Sequence, residues 1–265
     1  MPKAKVNGFN LYYEIHGKGF PLLMILGLSE NIYWLDPPLI EELSKSFKVI
    51  IFDNRDVGRS DRTEGEFTCK MMADDTDGLM DALDINKAHI LGHSMGGFIA
   101  QELVLNYPER VEKLILCSSG CGGSKAPLIN PKTMRFLMKL SRREHTRKVI
   151  EEGMPHMFSE DFIKNNSEYI KKKIEDILTI PTEPEVFMQQ ISTRFNSYRR
   201  LKNIKVPTLI LHGKEDILLP PGNAELLAEK IFGAKLIYFE NVAHMIFLEE
   251  PRKFIDEIIE FLKDN

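Results

Sequence analysis

The sequence has little cysteine: three residues in 265, Cys69, Cys117 and Cys121. So sparse and odd a set argues against a disulfide framework and fits a reducing compartment. Cys117 and Cys121 have no matching His/Cys cluster, so neither a metal site nor a cofactor is expected. Long hydrophobic runs are also missing. The densest, Pro21 to Leu28, is far too short to cross a bilayer. The opening Met-Pro-Lys-Ala-Lys-Val-Asn-Gly lacks the apolar segment of a secretory leader. No membrane association is expected, and a cytoplasmic, unprocessed protein is. There is no excess of positive charge, with 35 Lys and Arg against 39 Asp and Glu for a net charge of −4, so nucleic acid is not an expected partner. Internal repeats and low-complexity segments are lacking too. What remains is 43% apolar and 28% charged, the composition of an ordinary globular protein. The length suits one large α/β domain or a domain with a modest insertion. Nothing in the chain separates a monomer from a homodimer.

Short β-rich runs alternate with amphipathic helical patterns, which predicts a parallel sheet covered by helices on both faces. Leu11 to Ile15 alternates and reads as an early antiparallel edge strand. Leu22–Leu26 and Val49–Phe52 are continuous apolar runs of the kind buried in parallel sheets, and Ala88–Leu91, Leu114–Leu116, Thr208–Leu211 and Leu236–Phe239 continue the series. Helical patterns cover Met71–Leu83, Gly97–Asn106, Ala224–Ile231 and Phe254–Leu262. From about Pro127 to Arg200 the alternation stops, leaving helical periodicity broken by Pro155, Pro181 and Pro184. Residues 1–126 and 201–265 are therefore expected to form a core domain that carries a helical insertion at 127–200. The insertion is rich in methionine, with Met134, Met138, Met154, Met157 and Met188, a side chain suited to irregular apolar surfaces. Most such residues simply pack a core. The alternative is an acyl pocket, with Met134, Met138 and Met188 as candidate substrate contacts beside Leu28 and Trp34. The runs Lys171-Lys172-Lys173 and Arg142-Arg143-Glu144 read as solvated helix faces.

The strand at Ala88–Leu91 runs directly into Gly92-His93-Ser94-Met95-Gly96-Gly97, and a helical pattern follows from Phe98. Strand, sharp turn and helix form the context in which G-x-S-x-G presents a nucleophilic serine, here Ser94. A serine hydroxyl needs a base to take its proton. Of seven histidines, His16, His89 and His212 belong to strands or their ends, His93 lies in the turn, and His145 and His156 lie in the insertion. His244 alone occupies the loop between the last strand and the last helix. Loops at the carboxyl ends of parallel strands converge on one face, so it is the candidate base. Asp216, just past Thr208–Leu211, is the candidate orienting acid, with Glu215 and Glu240 as competitors. The order Ser, Asp, His suits a triad on such a sheet. The backbone N–H groups of Met95 and Leu28 are the candidate donors to a developing oxyanion.

Together these residues resemble the α/β-hydrolase superfamily over nearly the whole chain. The family's first loop usually reads His-Gly, where this chain has Leu26-Gly27. Phe52-Asp53-Asn54-Arg55-Asp56-Val57-Gly58-Arg59-Ser60 resembles its D-x-R-G-x-G-x-S loop, with Asp56 in place of the usual glycine. Asn241-Val242-Ala243-His244, followed by Glu249-Glu250-Pro251, resembles its histidine loop, with Ala243 in place of glycine. The nearest likeness is to bacterial carboxylesterases, enol-lactonases and methylesterases. The resemblance implies an α/β-hydrolase fold: a mostly parallel sheet of about eight strands, helices on both faces and a helical cap. It also implies a carboxylesterase that cleaves small to medium carboxylic esters, its small-molecule partners, through an acyl-enzyme. Lactonase, C–C hydrolase, amidase and perhydrolase chemistry use the same triad. Serine at position 94 argues against dehalogenase or epoxide hydrolase chemistry, which needs a carboxylate there. A ligand-binding protein that kept the triad is the alternative from another class.

Overall fold

The computed structural model describes residues 2–65, 68–127, 129–140, 146–193 and 197–264. His145 and the run Arg142-Arg143-Glu144 lie outside the described residues. Eight strands form one sheet: β1 (Lys3–Val6), β2 (Phe9–His16), β3 (Pro21–Ile25), β4 (Lys48–Phe52), β5 (Ala88–His93), β6 (Val111–Cys117), β7 (Thr208–Gly213) and β8 (Lys235–Phe239). Their order is β1-β2-β4-β3-β5-β6-β7-β8. The pairs β1·β2 and β2·β4 are antiparallel and the remaining pairs parallel. The alternating run Leu11–Ile15 lies within β2, between β1 and β4, so it is not the edge strand expected of it. The edge is β1, whose Lys3 and Lys5 face outward between buried Ala4 and Val6, too short a pattern to stand out in sequence.

Each central strand buries both faces. In β3, Leu22 and Met24 join the apolar cluster on one side of the sheet, Leu23 and Ile25 that on the other. Helices α1 (Pro37–Ser44) and α11 (Pro251–Lys263) pack on the first side; α2 (Cys69–Ala82), α3 (Met95–Asn106) and α9 (Gly222–Lys230) pack on the second. Proline opens both α1 and α11, where its missing N–H costs the helix nothing. After β3 the chain moves outward to β4, then returns across β3 to β5 and continues the other way. Such a reversal opens a crevice at the carboxyl ends of the strands beside it.

Between β6 and β7 lie α4 (Pro131–Leu140), α5 (Arg147–Met157), α6 (Glu160–Asn165), α7 (Ser167–Thr179) and α8 (Pro184–Ser192), with the short α10 (Ile246–Glu249) following β8. Pro184 begins α8 and Pro181 separates it from α7, as breakers should. Pro155 does not break the chain. It sits in the last turn of α5, where the helix continues past it.

The lysine run also departs from expectation. Lys171 and Lys172 are exposed, but Lys173 is buried, with Nζ 2.5 Å from Asp36 Oδ1 and 3.4 Å from the carbonyls of Tyr33 and Trp34. Successive helical residues are about 100° apart, so three in a row cannot all face water when α7 is packed on the core.

Candidate active site

At the end of β5 the backbone of Ser94 takes φ 51° and ψ −117°, a region costly for any residue with a side chain, by about 1–3 kcal/mol. The surroundings enforce it. Ser94 donates its N–H to the Cys117 carbonyl at 2.9 Å, and Ser119 donates its hydroxyl to the Ser94 carbonyl at 2.9 Å. A Cβ on Gly96 would lie 2.0 Å from the Ile25 carbonyl oxygen, and one on Gly92 would lie 2.4 Å from that of Gly96. The turn is possible only because both are glycine. Ser94 is the N-cap of α3, so Met95 carries the first N–H of that helix. Neither that N–H nor the one on Leu28 has an acceptor among the described residues.

His244, on the loop after β8, places Nδ1 2.7 Å from Asp216 Oδ2, and both side chains are buried. The other oxygen, Oδ1, accepts the N–H groups of Leu218 and Leu219 at 2.9 Å each. His212 also faces this carboxylate, with Nε2 3.4 Å from Oδ2 and 2.7 Å from the Leu219 carbonyl. Burial alone would push the Asp216 carboxyl up, but His244, with His212 and the Leu219 N–H, outweighs burial and holds it below its usual range. Burial would push the His244 imidazole down, and Asp216 reverses that, leaving it above the usual range. Burial holds His212 low. The competitors point elsewhere: Glu215 is exposed and Glu240 pairs with Lys214 at 2.7 Å on the surface.

Ser94 and His244 open onto a cavity of about 420 Å³ between the carboxyl edge of the sheet, on the core side, and helices α4–α8, which stand where the cap was expected. Because Asp216 takes Nδ1, Nε2 is the imidazole nitrogen left to accept a proton. Leu28, Trp34, Met95 and Phe98 line the cavity from the core, and Met134, Met157, Phe187 and Gln190 from the cap. Met138 and Met188 are not in the wall and are 49% and 40% exposed, which corrects their placement as substrate contacts. Each is one residue, about 100°, round its helix from a neighbour that does line it, Leu137 or Phe187. Met154 packs into the core instead. The three cysteines are buried, and burial pushes every thiol up, Cys121 to about 11, so none offers a thiolate nucleophile. Among the described residues, no three His, Cys, Asp or Glu side chains are grouped to hold a metal ion, and no helix is long and apolar enough to cross a membrane.

Other polar groups at the site carry no signature in the sequence. Glu30 is buried under the loop after β3, where its Oε2 accepts the Gly27 N–H at 2.6 Å and faces His93 Nδ1 at 2.9 Å. From the cap, Gln190 Oε1 accepts the Ser29 N–H at 2.8 Å, and Thr182 donates to the Ser29 carbonyl at 3.0 Å. The Met157 carbonyl, at the end of α5, accepts the N–H groups of His244 and Met245 at 3.0 and 3.1 Å. The Asp53–Ser60 segment braces the turns beneath: Asp53 accepts the N–H groups of Ile32 and Arg59, and Arg55 forms a buried pair with Asp75 at 2.5 Å.

Residues 21–251 match the family profile described as alpha/beta hydrolase fold. The provisionally named carbamate hydrolase RutD of Azorhizobium caulinodans is 29% identical over 264 residues, covering 98% of this chain and 98% of that protein. The solved enol-lactonase from Burkholderia xenovorans LB400 is similar with a TM-score of 0.87 at 25% identity, over 99% of this chain and 100% of its own. A thermophilic esterase from Thermogutta terrifontis gives 0.84 at 28% identity, over 99% and 97%.

Proposed function

The chain belongs to the alpha/beta hydrolase fold family, and from that premise we propose that it is a serine esterase acting on small to medium carboxylic esters through an acyl-enzyme on Ser94. Ser94 Oγ attacks the ester carbonyl while Nε2 of His244 takes its proton. Asp216 fixes the imidazole through Nδ1–H and stabilises the imidazolium. The backbone N–H groups of Leu28 and Met95 receive the oxyanion. Collapse expels the alcohol, which takes the proton from His244. Water, deprotonated by the same imidazole, then attacks the acyl carbonyl and returns the acid and free Ser94. None of these steps needs a metal or cofactor. One observation carries the reading: His244, held by a buried 2.7 Å contact to Asp216, lies on the same cavity as the strained Ser94.

The cavity wall is mainly apolar, which favours an acyl chain over a charged group. The full-length likeness to an enol-lactonase supports a second substrate, a lactone, in which the leaving alcohol stays tethered to the acyl group. A panel of p-nitrophenyl esters of rising acyl length, with lactones and aryl carbamates beside it, separates these. The esters are expected to give the highest kcat/KM, and Ser94→Ala to lower it by about 10⁴-fold or more. A fluorophosphonate probe is expected to label Ser94. A wild-type protein that takes no label and hydrolyses no member of the panel would be a binding protein instead. Preference for lactones or carbamates would keep the mechanism and change the substrate.

A further inference from the structure

The cavity wall includes a carboxylate, Glu30, to which ester hydrolysis assigns no role. Glu30 is 5% exposed and His93 1%. Burying a carboxylate is costly unless hydrogen bonds compensate, and Glu30 has two partners on one oxygen, the Gly27 N–H and His93 Nδ1. The absence of a side chain on Gly27 makes room: a Cβ there would sit 2.9 Å from the carboxyl group. The far side of the His93 ring reaches the third loop, with Nε2 3.4 Å from the His244 carbonyl and the two ring centroids 5.0 Å apart. Each partner adjoins a working group. Gly27 precedes Leu28, His93 precedes Ser94, and the carbonyl belongs to His244 itself.

We propose that Glu30 and His93 form a positioning pair, in which the carboxylate holds the Leu28 donor through the Gly27 N–H and ties the Ser94 turn to the His244 loop through His93. This rests on the serine hydrolase reading. Neither side chain is assigned to the reacting atoms; the pair acts by fixing the oxyanion donor, nucleophile and base relative to one another. Its charge has a second effect. The groups facing His244 are Asp216 after β7, Glu30 after β3, Glu249 on α10, His93 at the end of β5 and His212 at the end of β7. Among the acids, Asp216 acts most strongly to keep the imidazole protonated, with Glu30 next and Glu249 after it.

The experiment compares Glu30→Gln, which keeps the shape and removes the charge, with Glu30→Asp, which keeps the charge but is one methylene short. On p-nitrophenyl butyrate both are expected to lose about 30-fold in kcat with KM within about threefold, the pattern of misplaced rather than missing groups. Only Glu30→Gln is expected to move the acid limb of the pH profile to lower pH. NMR titration of the His244 ring in wild type and Glu30→Gln is expected to show the same downward shift without any turnover. If Glu30→Gln does not fold, His93→Asn takes its place, keeping a donor for Glu30 while losing the reach to His244, with about a fivefold fall in kcat at unchanged KM expected. Folded variants with wild-type kcat and pH profile, whatever their melting temperature, would overturn the proposal. So would a loss carried by KM alone. A wild-type enzyme without turnover or a Ser94 adduct would instead remove the hydrolase reading, and the pair's role with it.

Discussion

The strands that lead into Ser94 and Asp216 are buried along their whole length, whereas the cap helices bury at most one stripe each and leave Met134, Met138 and Met188 between 40% and 49% exposed. In the core, backbone geometry dictates residue type: a positive φ at Ser94 and close approaches at Gly92 and Gly96 admit few alternatives. In the cap, an apolar stripe suffices, and many side chains can supply it. Under the proposed function, the core therefore sets the chemistry and the cap sets the acyl group it reaches.

The largest effect that tests this division is expected in the core. Asp216→Asn should lower kcat by about 10⁴-fold with little change in KM, because the imidazole loses its fixed tautomer. Equal losses from cap substitutions would erase the distinction. The same pair sets the pH dependence. In the proposed mechanism His244 must be neutral to accept the Ser94 proton, and it is held above its usual range, so kcat/KM should fall as pH drops through a value above 6.5. Stability runs by the opposite signs for the two partners. The contribution from His244 is fully present below its unfolded value and is lost as pH rises through its folded one; that from Asp216 is present above 3.8 and is lost as pH falls through its lowered value. Thermal melts across pH check both limbs.

Next in size is the joint between the regions. Asp36→Ala leaves Lys173 as a buried charge without its carboxylate and should cost about 3 kcal/mol, read by calorimetry as a fall in Tm of about 6–12 °C. Adding Lys173→Met should restore most of it. A single variant with wild-type Tm would mean that the cap is not held there. Smaller again, Phe187→Ala enlarges the cavity and should shift the preferred acyl length, changing the ratio of kcat/KM between short and long esters by about tenfold. The smallest effect is expected one residue on. Met188→Ala faces outward and should leave that ratio within about twofold.

Legibility in the sequence followed the same division. The Ser94 turn could be read because its glycines are required sterically, and the loops bearing Asp216 and His244 because topology brings the carboxyl ends of the strands to one face. Asp56 stands where a glycine was expected and keeps the loop by adopting φ 64° itself, a conformation that aspartate tolerates better than most. The four-residue β1 and the burial of Lys173 were not legible, because a short alternating run and a lysine in a basic cluster look alike whether packed or solvated. Glu30 was hidden for a related reason: only the folded loop places its carboxylate over Gly27 and His93. Helical periodicity marked the cap's apolar stripe but not which part of it meets the cavity: Met134 and Met138 lie only about 40° apart round α4, yet Met134 lines the wall and Met138 does not.

The distance along the chain between the working groups has a consequence for how the protein is made. His93, beside the proposed nucleophile, and His244 are 151 residues apart, and the Ser29 to Gln190 bond that joins loop to cap spans 161. At about 5–20 residues per second, a ribosome completes the serine turn about 8–30 s before it adds the histidine. Throughout that interval the nascent chain carries the Ser94 hydroxyl without its candidate base, and for most of it without Asp216 as well. Under the proposed function an early-terminated chain is thus chemically silent, and reactivity arrives only with the loop that follows the last strand.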